Sequence, residues 1–205
     1  QIQLKTSYTD IVKIAPTLKK LTQPNISALG NVQYKGNFYG YIHSFTALGF
    51  LETAIGNVQT DINIKLQKGN IAFYQGKLGL QYFNLGTFIR NNDLNFINGE
   101  VTLNGEGVCK NATANLTTQL PRLDYNGYAY TNISANGQLS NNNYIGVLKI
   151  TDPNLEFRCD VVLNMDKDSA KFSAVGELQK SNFKTIGFTK DDVQVTGLFD
   201  FNFKG

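Results

Sequence analysis

The sequence has no tryptophan, and among its 205 residues it has one methionine, one histidine, two cysteines and four prolines. Charged residues make up 17%, below the roughly one quarter that is usual for soluble domains. No apolar run approaches the roughly 20 residues that a membrane-spanning helix needs. Nor does a signal-peptide pattern open the chain, because its first five residues alternate polar and apolar side chains. These absences argue against a helical membrane protein and leave little material for catalysis.

The scarcity of histidine removes most candidate active sites. His43 has no motif partner for a nucleophilic triad or a zinc site, and we interpret it as a strand residue. Two carboxylate pairs remain, Asp152 with Glu156 and the adjacent Asp191 and Asp192, because glycosidases use two carboxyl groups. Solvated carboxylates are ordinary at turns, so we predict a protein that is not an enzyme and that holds no cofactor or metal.

Cysteine and charge exclude further classes. Two cysteines do not make a disulfide framework. We expect Cys159 to be a small buried hydrophobe, and a single bridge to Cys109 in an oxidising compartment stays open as an alternative. The net charge of +3 is spread along the chain, whereas a nucleic-acid surface concentrates its Lys and Arg. We therefore predict no nucleic-acid partner.

Two-residue alternation of apolar and polar side chains dominates the chain from about residue 62 onward. Successive side chains of a strand point to opposite faces, so each such run predicts a ribbon with one apolar side. The clearest predicted strands span 155–164 and 193–203, and 24 Asn and 19 Gly supply turns. We predict turns at Asn126-Gly127 and Asp152-Pro153-Asn154, and also at Gln75-Gly76 and Asn98-Gly99. For Tyr125, Tyr128 and Tyr130 we favour cross-strand packing over stacking on a sugar.

The predicted fold class is all-β: a long antiparallel sheet curled into a U-shaped groove, taco-like or jelly-roll-like, with one short N-terminal helix. Residues 7–21 change to helical spacing and predict that helix, interrupted at Pro16, as a plug for one end of the sheet. No linker divides the chain, so residues 1–205 are expected to form a single segment. Because strand patterns run to both ends, we expect it to be part of a longer protein.

An ordered series of short phrases resembles one protein family. The phrases are GNFYG (36–40), FTALG (45–49), TAIGNVQTDI (53–62), YQG (74–76), FNLG (83–86), GYAYTNI (127–133) and DPNLEF (152–157). In order and spacing they resemble the central, β-rich part of TamB-type translocation and assembly module proteins of the AsmA-like superfamily, in the form found in Bacteroidetes.

The resemblance implies a location and a task. Such proteins are anchored in the inner membrane and cross the periplasm as a curled sheet with an apolar groove. They serve outer-membrane biogenesis and the movement of phospholipids between the membranes. The implied partners are phospholipid acyl chains and, through other parts of the full protein, an outer-membrane assembly protein of the BamA/TamA type.

Apolar alternation supplies the candidate lining of such a groove. These side chains are Leu155, Phe157, Val161, Leu163, Val193, Val195, Phe199, Phe201 and Phe203. An ordinary core would use the same residues, so a closed β-sandwich acting as a surface or adhesin-like binding module is the alternative. Unpaired strands at the ends of the sheet also predict edge-to-edge association between copies of this chain.

Overall fold

The computed structural model describes residues 2–14, 24–41, 43–67, 71–107, 112–164 and 171–204. Within them, twelve strands form one antiparallel sheet. The strands are β1 (Ile2–Ser7), β2 (Asn31–Tyr41), β3 (Ser44–Thr53), β4 (Gly56–Gln67), β5 (Ile71–Asn84), β6 (Leu94–Glu106), β7 (Thr113–Tyr125), β8 (Tyr128–Ser140), β9 (Asn143–Asp152), β10 (Leu155–Asn164), β11 (Lys171–Ser181) and β12 (Gly197–Lys204). The all-β, antiparallel prediction is confirmed.

The strand order in the sheet follows the chain from β1 to β12 without a crossover. Neither β1 nor β12 has a second partner among the described strands, so the sheet is open at both edges. The accessible surface is 12906 Å². A compact globular protein of 22.7 kDa would expose about 9,500 Å², so roughly a third more surface meets solvent here.

Three short helical elements accompany the sheet: α1 (Tyr8–Ile14), a 3₁₀ helix η1 (Ile26–Leu29) and α2 (Leu85–Ile89). The helix α1 confirms the expected N-terminal helix as far as residue 14, and residues 15–21 of that prediction lie outside the described residues. Sequence reasoning missed α2, although Asn84 begins it by accepting a hydrogen bond from the backbone N–H of Thr87 at 2.8 Å. An Asn at this position is a usual N-cap signal.

Two predicted turns are wrong, because Gly76 and Gly99 lie inside β5 and β6. A Cβ atom at Gly76 would collide with the carbonyl oxygen of Asp61, and one at Gly99 with that of Gln119. Glycine therefore marks a close approach of neighbouring backbones at these positions rather than a turn. The turns at 126–127 and 153–154 are present as predicted.

The last strand begins later than predicted. Strand β12 starts at Gly197, so Val193 and Val195 precede it. The Ser181 hydroxyl bonds both the N–H and the carbonyl oxygen of Val195 at 2.7 Å. The Phe183 N–H donates to the Val193 carbonyl at 3.0 Å. Contacts with the end of β11 and the turn after it thus replace the regular ladder here.

Candidate apolar binding face

The pairing register assigns the side chains of the whole sheet to two faces, because directly opposed residues in neighbouring strands point the same way. We call the face that carries Val161 the inner face. One row of directly opposed residues on it runs from β2 to β12: Phe38, Ala47, Ile62, Gly76, Leu103, Leu116, Gly137, Gly146, Val161, Ala174 and Phe201. Every member of the row is apolar or glycine.

The next row on the inner face runs through all twelve strands. It comprises Ile2, Gly36, Gly49, Thr60, Leu78, Val101, Thr118, Ala135, Leu148, Cys159, Gly176 and Phe199. Two threonines are its only hydroxyl groups. Among the paired residues of the described strands, Asp152 is the one charged side chain on the inner face, and Lys, Arg and Glu lie on the opposite, outer face.

Two tyrosine rings fill glycine gaps on the inner face. Gly36 opposes Gly49, and a Cβ atom at either position would lie 2.6–2.8 Å from the Tyr34 hydroxyl. Gly137 opposes Gly146 in the same way, and Tyr144 covers that pair. The glycines therefore make room for aromatic rings, which keep the face apolar and continuous.

One end of the inner face is covered, and we call it the capped end. Here η1, α2 and residues 182–188 lie beside the turns that join the strands, linked by hydrogen bonds such as Ala54 N–H to the Leu29 carbonyl at 3.0 Å. Beneath them lies a buried cluster: Val58, Phe83, Ile97, Leu120, Tyr130, Ile133, Ile150, Leu155 and Ile186. Ile186 is wholly buried. These three segments cover the capped end, and α1 contacts β1 and η1. Residues 15–21 of the expected plug lie outside the described residues.

The inner face is exposed toward the two edges of the sheet. Ile2 and Leu4 on β1 are 46% and 50% exposed, and Phe201 and Phe203 on β12 are 53% and 55% exposed. These exposed apolar residues form two pairs, one at each edge strand of the described sheet. This apolar surface is the candidate functional site.

The candidate lining residues fall into three groups. Leu155 and Val161 are buried, Phe157, Leu163 and Phe199 are half-buried, and Phe201 and Phe203 are exposed; all seven are inner-face residues. Phe157 lies 6.4 Å from Phe199 between ring centroids, and Phe172 lies 5.9 Å from Phe201. Val193 and Val195 lie outside the ladder and do not share this arrangement.

The single inner-face charge is held in a closed hydrogen-bond network. Asp152 accepts bonds from the Tyr128 hydroxyl (2.7 Å), the Thr131 N–H (2.9 Å) and hydroxyl (2.8 Å), and the Asn154 N–H (2.9 Å). Burial by itself raises the pKa of Asp152, but these hydrogen bonds outweigh it and hold the pKa below its usual value. The carboxylate is therefore a fixed structural anion at neutral pH.

The structure separates the members of one carboxylate pair and exposes both members of the other. Asp152 is buried on the inner face, whereas Glu156 pairs with Thr151 on the outer face. Asp191 and Asp192 are exposed in the segment between β11 and β12. In the described ranges, no group of three His, Cys, Asp or Glu side chains is placed to hold a metal ion. His43 is exposed in the turn before β3 rather than in a strand.

The tyrosines near the capped end pack as cross-strand neighbours. Tyr125 on β7 opposes Tyr128 on β8, and its ring lies 6.4 Å from that of Tyr130 between centroids. Within β8, the ring of Tyr128 meets that of Tyr130 edge-on at 4.7 Å. The Tyr130 hydroxyl is buried and finds no hydrogen-bond partner within the described part of the chain. Burial, with Tyr125, Tyr128 and Asp152 nearby, raises the pKa of Tyr130 to about 12.

Cys159 is buried and free on the inner face, and Cys109 lies outside the described residues. Burial, with a smaller contribution from the Asp160 carboxylate, raises the pKa of the Cys159 thiol and disfavours the reactive thiolate.

No protein-family model matches the chain, and neither does any curated protein or solved structure. Across the ranges that the structure covers, no helix is long and apolar enough to span a bilayer.

Proposed function

We propose that the inner face forms the wall of an apolar groove that shields phospholipid acyl chains in transit between two membranes. The observation that carries this proposal is the continuity of the face: directly opposed apolar, glycine and threonine residues cross all twelve strands. An acyl chain on such a face gains roughly 0.8 kcal/mol for each CH₂ group that it buries. The one charged inner-face side chain among the described strands, Asp152, is buried, so the gain per CH₂ group changes little as the lipid moves across the face.

The proposed setting is that of a TamB-type protein. In it the chain is a non-enzymatic periplasmic segment of a bridge anchored in the inner membrane. Other parts of the full protein contact an outer-membrane assembly protein of the BamA/TamA type. The ordered sequence phrases and the sequential antiparallel sheet support this setting.

The alternative is a closed β-sandwich that acts as a surface or adhesin-like binding module. A closed sandwich buries its inward side chains along their whole length. The larger buried cluster lies at the capped end and a smaller one comprises Cys159, Val161 and Ala174, whereas Phe201 and Phe203 are more than half exposed. The exposure favours the groove.

Lipid binding by matched variants of β12 tests the proposal. Phe201 and Leu198 lie three residues apart on opposite faces, and both are exposed. We expect wild type, mixed with phosphatidylethanolamine–phosphatidylglycerol vesicles and repurified, to retain phospholipid in native mass spectrometry. Phe201→Asp should reduce the retained lipid about fivefold, because a carboxylate replaces an exposed phenyl group on the apolar face.

Leu198→Asp is the control and should retain as much lipid as wild type. Circular dichroism should show the same sheet content in all three proteins. Equal loss of lipid in both variants would contradict an inner-face site. If wild type binds no lipid and its inner-face strands resist hydrogen exchange throughout, the closed binding module is correct.

A further inference from the structure

Both edges of the sheet are regular strands ready to accept another strand. Strand β1 pairs with β2, and β11 with β12, without any register shift, and neither edge strand contains proline. Natural proteins usually blunt such edges with bulges, proline or inward-pointing charges. The charges of β1 and β12 point to the outer face, so none of these devices blocks either edge.

The number of strands makes the two edges complementary to each other. Because twelve is even, β1 and β12 run in opposite directions in this sequential antiparallel sheet. When a second copy is placed beside the first by translation, its β1 lies antiparallel to β12 of the first. This is the relation between every other pair of neighbours in the sheet, and it keeps the two inner faces on the same side.

The side chains select one register for this contact. Strand β1 has six residues and β12 has eight. Only one register keeps inner residues opposite inner residues and gives every β1 residue a partner within β12. Its inner pairs are Ile2 with Phe203, Leu4 with Phe201 and Thr6 with Phe199; its outer pairs are Gln3 with Asn202, Lys5 with Asp200 and Ser7 with Leu198.

Charge complementarity supports the same register independently. The register is selected by the strand lengths and the matching of inner faces, without regard to charge. It nevertheless places Lys5 opposite Asp200, the only acidic residue of β12. Opposite charges in directly opposed positions stabilise a strand pair. Two of the apolar pairs cover residues that are now about half exposed, Leu4 and Phe201, and Ile2 and Phe203.

We propose that copies of this chain associate head to tail, with β12 of one copy paired to β1 of the next in this register. The contact continues the sheet and the apolar rows of its inner face from one copy to the next. Because the two edges differ, the association is heterologous and adds copies without closing into a dimer. This proposal does not depend on lipid binding.

Sedimentation velocity over a concentration series tests the proposal, with charge reversal at the contact. Wild type should show an average mass that rises steadily with concentration and does not level off at two copies. Lys5→Asp alone and Asp200→Lys alone should each weaken association about fivefold, because like charges then oppose each other. The double variant Lys5→Asp with Asp200→Lys should restore association to near the wild-type level.

Asp61→Lys is the matched control, since it makes the same charge change on the exposed outer face of β4, away from both edges. It should associate like wild type. A wild-type chain that stays monomeric at every concentration overturns the proposal. So does a plateau at two copies, which would mean two-fold pairing of identical edges, or a double variant that fails to regain association.

Discussion

Strands β10 and β12 carry the same alternation on the same face, yet their most buried and most exposed apolar residues differ widely in exposure. Leu155 is 8% exposed, whereas Phe201 and Phe203 are 53% and 55% exposed. The difference lies in what covers them: Leu155 belongs to the cluster around Ile186, and among the described strands β12 pairs with β11 alone. Alternation thus determines on which face of the sheet a side chain lies. Whether that side chain is buried depends on a separate segment of the chain that covers the face.

Truncation of Ile186, which covers the capped end, should produce the largest loss of stability. Ile186→Ala should lower the free energy of unfolding by about 3 kcal/mol, because it leaves a cavity in the buried cluster at the capped end. Phe201→Ala, which truncates an exposed residue on β12, should lower the free energy of unfolding by less than about 1 kcal/mol. Urea denaturation followed by circular dichroism measures both. Similar losses would show that the two regions are equally covered in solution.

The buried carboxylate of Asp152 at the capped end should make the free energy of unfolding depend on pH. At neutral pH, Asp152→Asn should lower the free energy of unfolding by about 2 kcal/mol, since it removes the charge from several hydrogen bonds. The folded protein holds the pKa of Asp152 below its usual value. Its stabilisation is therefore complete above the ordinary carboxyl pKa and is lost as the pH falls through the lowered value.

The gap between wild type and Asp152→Asn should accordingly narrow in urea titrations at acid pH. Asp160→Asn, an exposed outer-face position on the neighbouring strand, is the control and should change stability little at any pH. A gap that stays constant from neutral to acid pH would contradict the anionic role of Asp152.

Removing the hydroxyl groups of two tyrosines at the capped end should give the smallest changes in stability, and the two changes should differ in sign or size. Tyr128→Phe should cost about 1.5 kcal/mol, because its hydroxyl donates to Asp152 and accepts from Asn154. Tyr130→Phe should be neutral or stabilising by up to about 1 kcal/mol, because it removes a buried hydroxyl without a partner. Thermal unfolding compares the pair. A clear loss in Tyr130→Phe would reveal a bound polar group at that hydroxyl.

The sequence was sufficient to predict strand β10 in full, because its alternation over Leu155–Asn164 is bounded by a clear turn. It failed at Gly76 and Gly99, where glycine serves close strand contact inside long strands. It also failed at Val193 and Val195, where alternation continues but Ser181 replaces the ladder hydrogen bonds. In each failure the deciding partner is distant in the chain or outside the local pattern.

The candidate site was predicted only in part. Seven of the candidate lining residues, all on β10 and β12, share the inner face. Each of the other ten strands also contributes residues to that face. The separation of Asp152 from Glu156 onto opposite faces follows from the hairpin register, which fixes that Leu155, not Glu156, opposes Asp152. Spacing along the chain alone does not determine this.

By itself, the sequence determined that the protein is an antiparallel sheet with one apolar and one charged face, because strand side chains alternate with a period of two. Only the tertiary structure decided which part of the apolar face is covered and that β1 and β12 are the outermost of the described strands. Those properties depend on where η1, α2 and residues 182–188 fold back, and so on contacts between segments far apart in the chain.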